Sequence, residues 1–135
     1  ALVESEAARY AGQLISALAH IHSCGLIHRD VKLDNVVFPC KSHQSIRLLD
    51  FGLAIAEEEA DIPSGAVTGT LGYCAPEVLA GQRWSTKADV FAAGVCVYAM
   101  LCGSLPFTHE DPVVVRQLNE EGYLTFGEPG WSSVS

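Results

Sequence analysis

The sequence predicts a mainly α fold with short β-hairpins, built on one modest core. Three observations lead there. Residues 5–24 repeat apolar side chains at the 3.6-residue helical period, with Ala7, Ala11, Leu14, Ile15, Leu18 and Ile21 forming one stripe. A second helix opens at Ser85-Thr86-Lys87-Ala88-Asp89 and is apolar on every side from Val90 to Leu101. Between them, the β-like runs Leu26-Ile27, Val36-Val37-Phe38 and Ile46-Arg47-Leu48-Leu49 are only a few residues each. A chain of 135 residues, 49% hydrophobic and 18% charged, suits one globular unit better than a disordered segment.

Each element has its own boundary signals. Ser5 is placed to cap the first helix and Gly25 to end it. His20 and His22 fall near that end, where solvated or helix-end histidines are the ordinary reading, since no carboxylate or Cys is suitably spaced to make them ligands. The runs at 36–38 and 46–49 are joined by a turn from Pro39 to Ser45 and read as a hairpin. Such a hairpin would bring Asn35, at its start, beside Asp50, at its end. Residues 53–77 read as one long irregular segment, a length that usually signals function or disorder. Its Glu57-Glu58-Glu59 run is either a solvated surface or a regulatory feature. Gly103 ends the apolar helix, and Asp111-Pro112 starts a short helix to about Asn119. Residues 122–135 are rich in Gly, Ser and Pro and carry Phe126 and Trp131.

Charge and cysteine content exclude several classes of function. The net charge of −8 is uneven: residues 1–47 carry +1 and residues 48–135 carry −9. Nucleic acid would approach against that field, which argues against such a partner. The apolar run from Val90 to Cys102 is shorter than the ~20 residues of a membrane span, and a buried central helix fits better. Cys24, Cys40, Cys74, Cys96 and Cys102 lack metal-site spacing and read as reduced thiols packed as small hydrophobes. No charged segment followed by an apolar one opens the chain, so a cytoplasmic or nuclear location is the expectation.

The chemistry is concentrated in His28-Arg29-Asp30-Val31-Lys32-Leu33-Asp34-Asn35 and Asp50-Phe51-Gly52. A carboxylate, an ammonium, a carboxamide and a second carboxylate are the mixture that phosphoryl transfer needs: a base, cations for the phosphoryl oxygens, and oxygen ligands for Mg²⁺. The patterns H-R-D-x-x-x-x-N, D-F-G, G-T-x-x-Y-x-A-P-E over 69–77 and D-V-x-x-x-G-V over 89–95 follow one another in this order. Together they resemble the C-terminal lobe of a eukaryotic-type Ser/Thr protein kinase. The F-x₄-W spacing of Phe126 and Trp131 resembles the calcium/calmodulin-dependent-like group.

The resemblance implies a kinase-like fold, large lobe only, with residues 1–135 a partial kinase domain whose N-lobe is absent. It implies ATP and Mg²⁺ as cofactors, and as partners a protein substrate accepting on Ser or Thr and the missing N-lobe. By the same resemblance Asp30 orients the acceptor hydroxyl and takes its proton, Lys32 neutralises the transferred phosphoryl, and Asn35 and Asp50 ligate Mg²⁺. Thr70 would bridge Asp30 and Lys32, and Leu71, Gly72, Tyr73 and Cys74 would form the wall beside the acceptor residue. His28, Phe51 and Gly52 support the core, and Glu77 awaits an Arg that these residues do not include. Asp89 would accept hydrogen bonds from the catalytic-loop backbone, or else act as a first-turn dipole partner. Asp34 would face an Arg of the substrate, or else be a solvated loop carboxylate.

Two departures qualify the reading. No Gly-rich loop and no strand Lys for the α/β-phosphates occur in these residues, so the isolated chain is expected to be inactive. The alternative is an inactive kinase-fold interaction module. Arg29 normally pairs with a phosphate on the activation segment, yet Ala66 stands at the usual phosphosite. The acidic run Glu57–Glu59 with Asp61 is expected to supply that anion, with Ser64 or Thr68 as displaced phosphosites.

Overall fold

The computed structural model describes residues 1–60, 68–127, 131–132 and 134–135. The chain runs α1 (Glu4–Ser23), β1 (Leu26–Ile27), β2 (Val36–Val37), β3 (Arg47–Leu48), β4 (Ile55–Ala56), α2 (Pro76–Leu79), α3 (Thr86–Cys102) and α4 (Pro112–Glu121). Single 3-10 turns add Leu33–Asn35 and Glu57–Glu59. The described fold is therefore mainly helical, with two small antiparallel sheets.

The core forms where α1 meets α3. Ala7, Tyr10, Leu14, Leu18 and Ile21 of α1 pack on Ala92, Ala93, Val95, Cys96 and Met100 of α3. Tyr10 belongs to this face and Ile15 does not: Ile15 is 46% exposed. At about 100° per residue, position 15 lies at the edge of the stripe, and the opposing helix covers only its centre. The start of α1 also differs from expectation. The helix begins at Glu4, and its N-cap is Val3 without a side-chain cap, so Ser5 lies inside the first turn. At the other end Gly25 adopts φ +72°, and its N–H donates to the His22 carbonyl at 2.9 Å.

Both faces of α3 are apolar, but they are not equally covered. Ala92, Ala93, Val95, Cys96, Ala99 and Met100 are buried, whereas Val90 is 51% exposed. Gly103 closes the helix at φ +89°. Asp111 caps α4 as its spacing suggests, its Oδ1 accepting the Val113 N–H at 2.9 Å.

The hairpin between 36 and 48 forms with Val36 opposite Leu48 and Val37 opposite Arg47. It aligns the two ends of the site, since the Leu49 N–H donates to the Asn35 carbonyl at 2.8 Å. The other sheet was not legible as a pairing. β1 pairs with β4, Leu26 opposite Ala56 and Ile27 opposite Ile55. Ile55–Ala56 lies in the stretch expected to be irregular, which also contains the Glu57–Glu59 turn and the start of α2. A two-residue strand carries no periodicity, so its distant partner alone defines it.

No helix among the described residues is long and apolar enough to cross a membrane. Leu14 is fully buried and Ile15 is not, which makes them a matched pair. Leu14→Ala lowers unfolding free energy by about 2–5 kcal/mol, and Ile15→Ala by roughly 0.5 kcal/mol or less. Urea denaturation of the two variants checks this.

Candidate functional site

The site begins where β1 ends. His28 is wholly buried, and its two ring nitrogens tie separate strands of chain together. Nδ1 accepts the Asp30 N–H at 3.3 Å, which leaves Nε2 as the protonated nitrogen, donating to the Leu49 carbonyl at 3.0 Å. One neutral ring thereby holds the 28–30 turn against the chain entering Asp50.

Asp30 is 8% exposed, and its carboxylate is bonded at both oxygens. The Thr70 hydroxyl donates to Oδ1 at 2.7 Å, Lys32 Nζ meets Oδ2 at 2.9 Å, and Asn35 Nδ2 donates to Oδ2 at 3.2 Å. Lys32 Nζ also donates to Thr70 Oγ1 at 2.8 Å, closing a three-membered ring of polar groups. Burial pushes the Asp30 carboxyl up, but the bonds from Lys32, Thr70 and Asn35 and the Lys32 charge outweigh it, and the group sits below its ordinary value. The Lys32 ammonium sits above its ordinary value, chiefly through the bond to Asp30 and then the charges of Asp30, Asp34 and Asp50 against some burial. The charges of three carboxylates thus act on one ammonium, and of these Asp30 is in direct contact.

Asn35 is buried and donates Nδ2 to the Asp30 carbonyl at 2.8 Å as well as to its carboxylate. With the amide nitrogen committed inward, the carboxamide oxygen is the group left for a cation. Asp50 is exposed and takes a left-handed backbone, φ +63°, with Oδ1 accepting the Gly52 N–H at 3.1 Å. A Cβ at Gly52 would lie 3.1 Å from that same oxygen, so glycine allows the close turn. Among the described residues, no three His, Cys, Asp or Glu side chains converge as a metal cage.

Asp89, 1% exposed in the first turn of α3, holds the 28–30 loop through its backbone. Its Oδ2 accepts the His28 N–H at 2.8 Å and its Oδ1 the Arg29 N–H at 2.9 Å. His22 Nε2 reaches the same Oδ2 at 2.8 Å. Hence His22 meets a carboxylate 67 residues away, which no local spacing signals, because α1 and α3 lie side by side. Arg29 adopts φ +66°, a left-handed conformation that this carboxylate pins.

Among the described residues, the Arg29 guanidinium has no bond to Glu57, Glu58 or Glu59. Its Nε donates to the Leu53 carbonyl at 2.6 Å, and Cζ lies 5.7 Å from the Trp84 ring centroid. Glu57–Glu59 instead forms an exposed turn whose Glu57 carbonyl accepts a bond from Arg83 at 3.1 Å. Asp61, Ser64 and Ala66 lie outside the described residues. Trp84 and the Leu53 carbonyl were not foreseen as Arg29 partners, and nothing local in the sequence signals them.

The segment from 69 to 77 packs directly on this loop. Gly69 at φ +102° leaves only 2.9 Å between an added Cβ and the Arg29 carbonyl. Gly72 at φ +93° faces the Phe107 carbonyl, Tyr73 is buried, and Leu71 is 38% exposed. Glu77 lies in the first turn of α2. Asp34 is exposed on the 3-10 turn, near enough to Lys32 for its charge to act there. Phe51 departs from the packing expected of it: it is 50% exposed and touches the edge of the His28 ring, centroids 5.0 Å apart. The cysteines divide likewise. Cys74 and Cys96 are buried, with thiols pushed up to about 11 and about 12 by burial, while Cys24 and Cys40 are exposed.

The protein kinase domain model matches residues 1–132. The chain belongs to the protein kinase family. It is 43% identical over 122 residues to the human hormonally up-regulated neu tumor-associated kinase, covering 89% of this chain and 17% of that protein. The rat calcium/calmodulin-dependent protein kinase type 1B is 37% identical over 134 residues, covering 98% of this chain and 38% of that protein. The chain therefore spans less than two fifths of these kinases' length. The second similarity agrees with the likeness of residues 122–135 to the calcium/calmodulin-dependent-like group.

Two outcomes follow for this site. Asp89→Ala leaves the His28 and Arg29 amides without an acceptor, at about 1–3 kcal/mol for each buried donor. Denaturant midpoints fall accordingly, and hydrogen exchange at those two amides speeds up. Because the Asp30 value is lowered on folding, its stabilisation is complete above the ordinary carboxylate range near pH ~3.9 and is lost as pH falls through the lowered value. A carboxyl-carbon NMR titration places the Asp30 midpoint below that range, and Thr70→Val moves it upward.

Proposed function

We propose that the chain is the C-terminal, substrate-binding lobe of a Ser/Thr protein kinase whose parent transfers the γ-phosphoryl group of Mg·ATP to protein Ser and Thr hydroxyls. The observation that carries this reading is the closed set of Asp30, Lys32 and Thr70 with Asn35 bonded behind it. Asp30, kept ionised, holds the acceptor hydroxyl and takes its proton as the new oxygen–phosphorus bond forms. Lys32 offsets charge on the transferred phosphoryl oxygens, and Thr70 keeps the base and the cation in register. Asn35 and Asp50 would hold Mg²⁺, which would supply positive charge against the phosphate oxygens. Two oxygen donors suit an ion that keeps several waters and takes its other ligands from phosphates.

Lys32 two residues after Asp30, together with the Thr70 bridge, supports Ser/Thr acceptors. Leu71 to Cys74 would line the acceptor side, and Asp34 would face a basic residue of the substrate. The apolar flank beside Asp50, with Leu49 45% and Phe51 50% exposed, supports a second lobe seated there. A cytoplasmic or nuclear location accompanies this reading.

The test has two arms. In the kinase that carries this chain, Asp30→Asn and Asp50→Asn each lower kcat by about 10²–10³-fold or more while circular dichroism is unchanged. The 135-residue chain alone, lacking a Gly-rich loop and strand Lys, shows weak or no Mg·ATP binding by calorimetry and no phosphorylation of peptides. Unchanged turnover in both variants rejects the proposal and leaves the interaction-module reading.

A further inference from the structure

The fully buried side chains include one neutral amide, Asn119, with no part in the catalytic loop. It lies four residues after buried Val115, on the inward face of α4, where helical periodicity calls for an apolar residue. A buried carboxamide is costly unless bonded. Asn119 Nδ2 donates to the Cys74 carbonyl at 2.7 Å, while Oδ1 has no partner among the described residues.

A second tie from the same helix lands close by. Arg116, one turn earlier, donates Nη2 to the Leu79 carbonyl and is steadied by Glu120 at 2.8 Å. Cys74 and Leu79 bracket α2, so α4 grips the acceptor-side segment just before and at the end of that short helix. From Cys74 the path to the catalytic carboxylate is brief. The Cys74 thiol donates to the Thr70 carbonyl at 3.5 Å, the Tyr73 N–H donates to the same carbonyl at 3.1 Å, and the Thr70 hydroxyl reaches Asp30.

We propose that Asn119 is a positioning residue for acceptor-peptide recognition: it fixes the Cys74 carbonyl from behind and so sets the place of Leu71 to Tyr73 relative to Asp30. This rests on the reading of Leu71 to Cys74 as the acceptor wall. The clamp acts on the peptide side of the site, since no bond from α4 reaches Lys32, Asn35 or Asp50 among the described residues. Its loss therefore shows in peptide affinity rather than in nucleotide affinity or the chemical step.

The test compares Asn119→Leu, which fills the space without a donor, with Asn119→Asp, which keeps the shape without a donor. Both are made in the kinase that carries this chain, with acceptor peptide and ATP varied separately. The clamp predicts a rise of at least five-fold in peptide KM, with kcat and ATP KM within two-fold, in whichever variant retains the wild-type circular dichroism spectrum. A residue that merely fills the core predicts unchanged peptide KM in Asn119→Leu, and that result overturns the proposal. Hydrogen exchange separates the clamp from the functional reading. If the wild-type kinase phosphorylates no peptide, the functional reading fails, and the clamp is judged by amide exchange over residues 73–79 of the same variants. Acceleration of ten-fold or more there supports it, and unchanged exchange rejects it.

Discussion

A carboxylate at the base of the buried helix α3 is the constraint on which the site depends. Asp89 accepts the amides of His28 and Arg29 and also meets His22, so three donors from two separate elements converge on one side chain. At 1% exposure it has no water to fall back on, and its bonds must be made within the protein. The consequence is geometric. α3 is anchored by the α1 interface, and Asp89 passes that rigidity to a loop with no regular structure of its own. Functional side chains on loops are accurate only when a rigid scaffold holds the loop in this way.

Three described non-glycine residues adopt left-handed φ angles: Arg29 beside Asp30, Asp50 within the site, and His43 in the 39–45 turn. Arg29 is held by Asp89 at its amide and by the Leu53 carbonyl at its side chain, while Asp50 is braced by the Gly52 amide. Sparsely populated conformations persist only when their surroundings over-determine them. Here two bonds stabilise Arg29, and a hairpin and a tight glycine turn stabilise Asp50. The electrostatics support the same site, with Lys32 paired to Asp30 and the Asp30 carboxyl held below its ordinary value by its donors.

The uncovered apolar surface matches the proposed role as part of a larger kinase. Leu49 and Phe51 lie on the Asp50 side, and Val90 and Phe126 lie elsewhere, all well exposed. Tyr98, Phe126 and Trp131 stack edge to face near the end of the chain, and the Tyr98 hydroxyl donates to the Thr125 carbonyl at 2.8 Å. These contacts hold Thr125, Phe126 and Trp131 against Tyr98 of α3 without burying Phe126. Of the three rings only Phe126, 60% exposed, is left open to association.

The sequence by itself determined the family, the order of the chemical groups, the two long helices and the hairpin that joins Asn35 to Asp50. Those features are local: they follow from helical period, capping residues, a polar turn and motif spacing, all of which act over a few bonds. Only the tertiary structure decided that His22 meets Asp89, that β1 pairs with β4, that Arg29 leans on Leu53 and Trp84, and that Asn119 reaches Cys74. Each of these joins residues 24 to 67 positions apart or pairs two-residue strands, and no periodic signal spans such distances. Phe51 makes the same point from the other direction. Its motif marks it as a packing residue, but burial depends on what surrounds a side chain, and among the described residues Phe51 meets the His28 ring and stays 50% exposed.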